Sequence, residues 1–129
     1  MASYLSESWF EEVRAAVAAA TPPVVAGDGV TLQQVVTGGP DGEVRYWLRV
    51  AEGAASVERG DAERPDATVT SSYETAAAVH QRQRSVEQAF LAGELRLAGD
   101  LAVLVAHQAA LAGLDAAVDA VRARTTYAV

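Results

Sequence analysis

Apolar residues recur at two periods along the chain, and the period changes more than once. Trp9, Phe10, Val13 and Val17 fall on one helical stripe. Ser8, three residues before Glu11, fits a capping box, with Ser6 as an alternative start, and Thr21-Pro22-Pro23 ends the helix. From Val30 the period drops to two. Val30 and Leu32 alternate with polar neighbours until Gln33-Gln34 breaks the phase. Gly38 to Gly42 is turn chemistry, and Val44, Tyr46, Leu48 and Val50 then alternate with Arg45, Trp47 and Arg49 as in a half-buried strand. Glu52-Gly53 reads as a turn into a third strand with Ala55 and Val57 inward, completing an antiparallel meander. Asp66 to Thr70 is a fourth strand.

After Ser72 helical spacing returns. Tyr73–His80 and Ser85–Leu91 are expected as short helices, with Ser72 and Ser85 as N-caps. Gly93 and Gly99 bracket a fifth strand, and Asp100 caps a helix whose Leu101, Leu104, Val105, Gln108 and Leu111 share a side. Ala102, Val103 and Ala106 make that helix apolar nearly all round, so it is expected to be buried on more than one face or to border a cavity. A last helix restarts near Asp115 and runs through Val118, Val121 and Arg122. The order is α-β-β-β-β-α-α-β-α-α in one domain, residues 1–129, with no repeat or linker.

Composition narrows the chemistry. Cys is absent, which excludes disulfides and thiolate chemistry. All ten basic residues are Arg, so Lys-dependent Schiff-base and P-loop chemistry are excluded too. The net charge of −7 argues against nucleic acid. No apolar run is long enough to cross a bilayer, so no stable membrane insertion is expected. Neither terminus reads as a targeting signal, and the expected setting is cytoplasmic. Missing Lys, Ile and Asn beside abundant Ala, Val and Arg suggest a GC-rich bacterial source.

Candidate chemistry is sparse. His80 and His107 are 27 positions apart, outside any metal-binding spacing, and read as polar residues on helix surfaces. Ser85, Asp100 and His107 compose a triad only on paper, because no nucleophile elbow accompanies them. Gly27-Asp28-Gly29 precedes a strand, the reverse of a dinucleotide site, and is a turn. Arg82-Gln83-Arg84, the one basic cluster, reads as a solvated inter-helix loop, against an anion or membrane-headgroup contact. No catalytic residue, metal or cofactor is expected. Trp47 between Arg45 and Arg49 on the outward face is a candidate interface anchor for a homodimer, against shielding of the indole by the arginine stems.

Pro65-Asp66-Ala67-Thr68-Val69-Thr70, and later Gly93-Glu94-Leu95-Arg96-Leu97-Ala98-Gly99-Asp100-Leu101, carry a resemblance. Together with the order of elements, they make the chain similar to the sterol carrier protein 2 family. The resemblance implies an α/β fold of the α+β type, a five-stranded sheet covered on one face by helices, with an apolar tunnel between. It implies non-enzymatic binding or transfer of a lipid or other hydrophobic small molecule: fatty acyl, sterol-like or polyketide-like.

The apolar segment from Phe90 to Leu111 then supplies the tunnel candidates: Phe90, Leu91, Leu101, Leu104, Val105 and Leu111, with Gln108 orienting a ligand head. Many Ala and Val leave volume that larger side chains would fill. Two other readings stand beside this one. A protein-interaction module with a filled core would work through Arg45, Trp47 and Arg49. A cofactor-free enzyme on a hydrophobic metabolite would use His107 and Asp100.

Overall fold

The computed structural model describes residues 2–19, 29–40, 42–51, 54–107, 113 and 116–127. In chain order the elements are β1 (Ala2–Ser3), α1 (Glu7–Ala19), β2 (Val30–Gly39), β3 (Gly42–Ala51), β4 (Ala54–Arg59) and β5 (Ala67–Ser72). They continue with α2 (Tyr73–His80), α3 (Val86–Leu91), β6 (Leu95–Gly99), α4 (Leu101–Ala106), α5 (Asp119–Ala123) and β7 (Thr125–Thr126). The Pro22-Pro23 stop, the turns at Gly27-Asp28 and Glu52-Gly53, and Gln108, Leu111 and Asp115 lie outside the described residues.

Five strands form one sheet in the order β4-β3-β2-β5-β6. β2, β3 and β4 are the antiparallel meander, β5 joins β2 in parallel, and β6 is antiparallel to β5. The register aligns Val30, Leu32, Gln34 and Val36 of β2 with Val50, Leu48, Tyr46 and Val44 of β3. Because side chains alternate across a strand, these share the face on which the helices pack. The chain extremities add a small second sheet, β1 parallel to β7, which the periodicity did not announce.

The core lies between that inner face and α1, α2 and α5. Phe10, Val30, Val36, Val50 and Val121 are its most enclosed large side chains. Helix α1 begins two residues earlier than the Ser8 capping box would start it, at the alternative start Ser6, whose Oγ accepts from the Trp9 N–H at 3.2 Å. Ser8 therefore does not cap it. The other caps are as the sequence indicates. Ser72 Oγ accepts from Thr75 N–H, Ser85 forms a capping box with Gln88, and Asp100 accepts from Ala102 and Val103 N–H.

β2 does not lose phase at Gln33-Gln34. It alternates throughout, and the sequence is misleading because both faces are covered. The β4–β5 connection crosses the outer face, burying Thr31, Gln33 and Val35. Gln33 holds it there: Nε2 donates to Gly60 O and Tyr46 O, both at 3.1 Å, and Oε1 accepts from Ala62 N–H at 2.7 Å. At 3% exposure the amide is enclosed, so these bonds replace water it has lost.

The two stretches that carry the family resemblance touch. The Asp100 N–H donates to Asp66 O at 2.8 Å. Gly99 makes this approach with φ +103°, where a Cβ would fall 2.5 Å from Asp66 O. A glycine is required there on both counts.

Candidate functional site

The interior divides into two apolar clusters. The first joins α1, α2 and α5 to Val30, Val36, Val44, Val50 and Val57. The second gathers Leu32, Ala67, Val69, Ala89 and Leu95 under α3. Leu48 and Leu104 pack against both.

Of the expected tunnel residues, Leu104 is half-buried on α4 at this junction. Phe90, Leu101 and Val105 are 46%, 44% and 65% exposed, and Leu91 at the end of α3 is 83% exposed. Over Leu101–Ala106 no side chain of α4 is fully buried, Val103 and Leu104 being half-buried against the core, so burial on more than one face is not seen there. Its apolar character is displayed at the surface and toward the junction. α3 and α4 thus each present large apolar side chains to solvent.

On the opposite face of the sheet, Arg45, Trp47 and Arg49 project together as expected. Arg45 Nε pairs with Asp61 Oδ1 at 2.5 Å, and Nη1 lies 3.4 Å from Glu43. The hydrogen bond and charge of Asp61 raise the Arg45 pKa further. Arg49 Nη1 donates to Thr31 Oγ1 at 2.7 Å. Trp47 is half-buried beside the crossover, in an open hollow of about 450 Å³ walled by Asp61, Ala62, Glu63 and Arg64.

The histidines are not equivalent. His80 is no simple surface residue: its ring stacks on Tyr4 with centroids 4.8 Å apart, amid Trp9 and Tyr127. The cause is tertiary, since α2 brings its last turn over the β1–α1 connection. His107 ends α4, with Nδ1 2.8 Å from Val103 O, and a carbonyl there requires the proton on Nδ1. Ser85, Asp100 and His107 are thus each engaged at a helix end. Among the described residues no three His, Asp or Glu group as a metal site would need. Arg82 pairs with Asp119 and Arg84 with Glu94, so the basic loop is neutralised within the fold.

Burial shapes the tyrosines of the first cluster. It pushes the Tyr46 hydroxyl up to about 12, with hydrogen bonding from Tyr4 offsetting part of the effect. Tyr4 is held well above its usual value by burial, then by the neighbouring tyrosines. Both stay protonated and neutral at physiological pH. No helix among the described residues is long and apolar enough to cross a membrane.

Solved structures share this architecture. The crystal structure of sterol carrier protein 2 like 2 from Aedes aegypti is 26% identical, covers 80% of this chain and 92% of its own, and superimposes with a TM-score of 0.60. The solution structure of the palmitated form of that protein gives 24% identity, 83% and 92% coverage, and a TM-score of 0.60. A crystal structure of sterol carrier protein 2 gives 22%, 89% and 96%, and 0.62. No curated protein sequence matches the chain. The SCP-2 sterol transfer family matches residues 10–112, from the first turns of α1 to beyond α4. With the sheet order, the Asp66–Asp100 contact and the capped α4 all falling within that span, the chain belongs to the SCP-2 sterol transfer family.

Proposed function

We propose that the protein is a non-catalytic carrier that binds a lipid or other hydrophobic small molecule between the inner sheet face and α3–α4. Fatty acyl, sterol-like and polyketide-like molecules are the ligand classes. The observation that carries this reading is the partial exposure of Phe90 on α3 and of Leu101 and Val105 on α4, whose Leu104 packs against both apolar clusters. An apolar ligand lying there would cover side chains that the fold leaves wet. Phe90, Leu91, Leu101, Leu104 and Val105 would line it; Gln108 and Leu111, the other sequence candidates, lie outside the described residues. The palmitated Aedes aegypti relative supports an acyl chain as one occupant.

Catalysis finds less support, because Ser85, Asp100 and His107 are each committed to a helix end. The outer face is also a weaker candidate for a homodimer, since Arg45 and Arg49 are engaged inside the protein. Titration with a fluorescent acyl-chain probe tests the carrier reading. Micromolar binding is expected, abolished by Leu104→Arg in protein whose circular dichroism is unchanged. Absence of affinity for acyl, sterol and polyketide-like ligands, by titration and native mass spectrometry, overturns it.

A further inference from the structure

Gln34 is a polar side chain at the centre of the inner face. The alternation of β2 places it between Leu32 and Val36 on the helix side, with Tyr46 of β3 and Val69 of β5 as its cross-strand partners. Val36 and Tyr46 belong to the first apolar cluster, Leu32 and Val69 to the second. Gln34 therefore stands at the seam between them. Its neighbour Gln33 uses both ends of its amide on the crossover, whereas the Gln34 side chain makes no hydrogen bond with any described residue. A primary amide offers two donors and an acceptor, and in this half-buried site they are not spent on any described residue and so are open to a ligand.

The charges around Gln34 define what it can receive. Its row across the sheet reads Arg59, Tyr46, Gln34, Val69 and Leu97. Arg59 is two strands away on the edge, with its guanidinium 5.2 Å above the Phe10 ring, and Tyr46 stands between. A carboxylate at Gln34 would lie beside Leu32, Val36 and Val69, with the one cation of its row, Arg59, two strands away, an arrangement that desolvation penalises. An uncharged head would lose much less water and could both accept from and donate to the amide.

We infer that Gln34 is a specificity-determining residue: its side-chain amide hydrogen-bonds an uncharged polar head, a hydroxyl, ester or amide, of the carried lipid. The apolar remainder of the ligand then runs along the seam toward Leu48 and Leu104. This rests on the carrier reading and narrows its ligand class to neutral lipids.

Displacement of the apolar fluorophore diphenylhexatriene tests it, with hexadecanol and hexadecanoate as competitors at pH 8. Wild-type protein should prefer the alcohol by about tenfold or more. Gln34→Leu should weaken hexadecanol, relative to the fluorophore with no polar head, by about three- to tenfold, the worth of one neutral hydrogen bond. Gln34→Met serves as a second variant of closer shape, and urea midpoints confirm that both are folded. Equal or tighter binding of hexadecanoate by wild type, or unchanged hexadecanol affinity in both variants, overturns the inference and leaves the carrier reading standing. If neither fluorophore, alcohol nor acid binds wild type, the inference falls, and the carrier reading falls with it when sterol and polyketide-like ligands fail as well.

Discussion

Thr31 and Asp66 are joined by a reciprocal pair of hydrogen bonds. The Thr31 N–H donates to the Asp66 carboxylate at 2.7 Å, and the Asp66 N–H donates to Thr31 O at 2.8 Å. The pair fixes the end of the crossover against the start of β2, just as Gln33 fixes its beginning. Asp66 also carries, through its carbonyl, the contact with Asp100 that leads into α4.

Asp66→Ala should lower stability by about 2 kcal/mol, because it removes a charged acceptor from a backbone donor on a 5% exposed residue. Asp66→Asn keeps an oxygen acceptor and should cost less. Urea denaturation checks both. The midpoint should fall with little change in slope, since the surface exposed on unfolding is the same.

Leu91 lets stability and the proposed carrier role be tested apart. At 83% exposure, Leu91→Ser should leave the unfolding free energy within about 0.5 kcal/mol. The same substitution should slow delivery of a fluorescent lipid from the protein to vesicles, if α3 borders the path the ligand takes. Unchanged delivery would remove Leu91 from that path.

Alkaline pH should expose the buried tyrosines. Tyr4 and Tyr46 ionise near 10 in the unfolded chain and higher in the folded one, about 12 for Tyr46. Between these values the unfolded chain binds fewer protons, so stability falls as pH rises. It should be fully present below pH 10 and decline from there through about 12. Tyr46→Phe should flatten part of that decline in thermal melts recorded from pH 8 upward.

Local chemistry was legible in the sequence where neighbours a few residues apart determine the outcome. The alternation of Val44, Tyr46, Leu48 and Val50, and the caps Ser72, Ser85 and Asp100, needed nothing distant. What escaped depends on residues far along the chain. Gln33-Gln34 reads as a broken strand because the crossover that buries Gln33 begins 27 residues later. His80 reads as a surface residue because its stacking partner, Tyr4, comes from the other end of the domain. Gln34 carried a faint signal: a polar residue in phase with the apolar positions Val30, Leu32 and Val36. The apolarity of α4 was legible but its degree of burial was not, since composition cannot distinguish a helix enclosed by protein from one whose apolar side chains stay exposed.

The pairing of β1 with β7 has a mechanical consequence. Ala2 lies opposite Thr125 and Ser3 opposite Thr126, with the strands parallel, and the Tyr4 N–H adds a bond to Thr126 O. Tension applied at residue 2 and residue 127 would draw parallel strands in opposite directions along their length. The small sheet would be loaded in shear, its bonds sharing the force, before any pull reached the five-stranded sheet behind it.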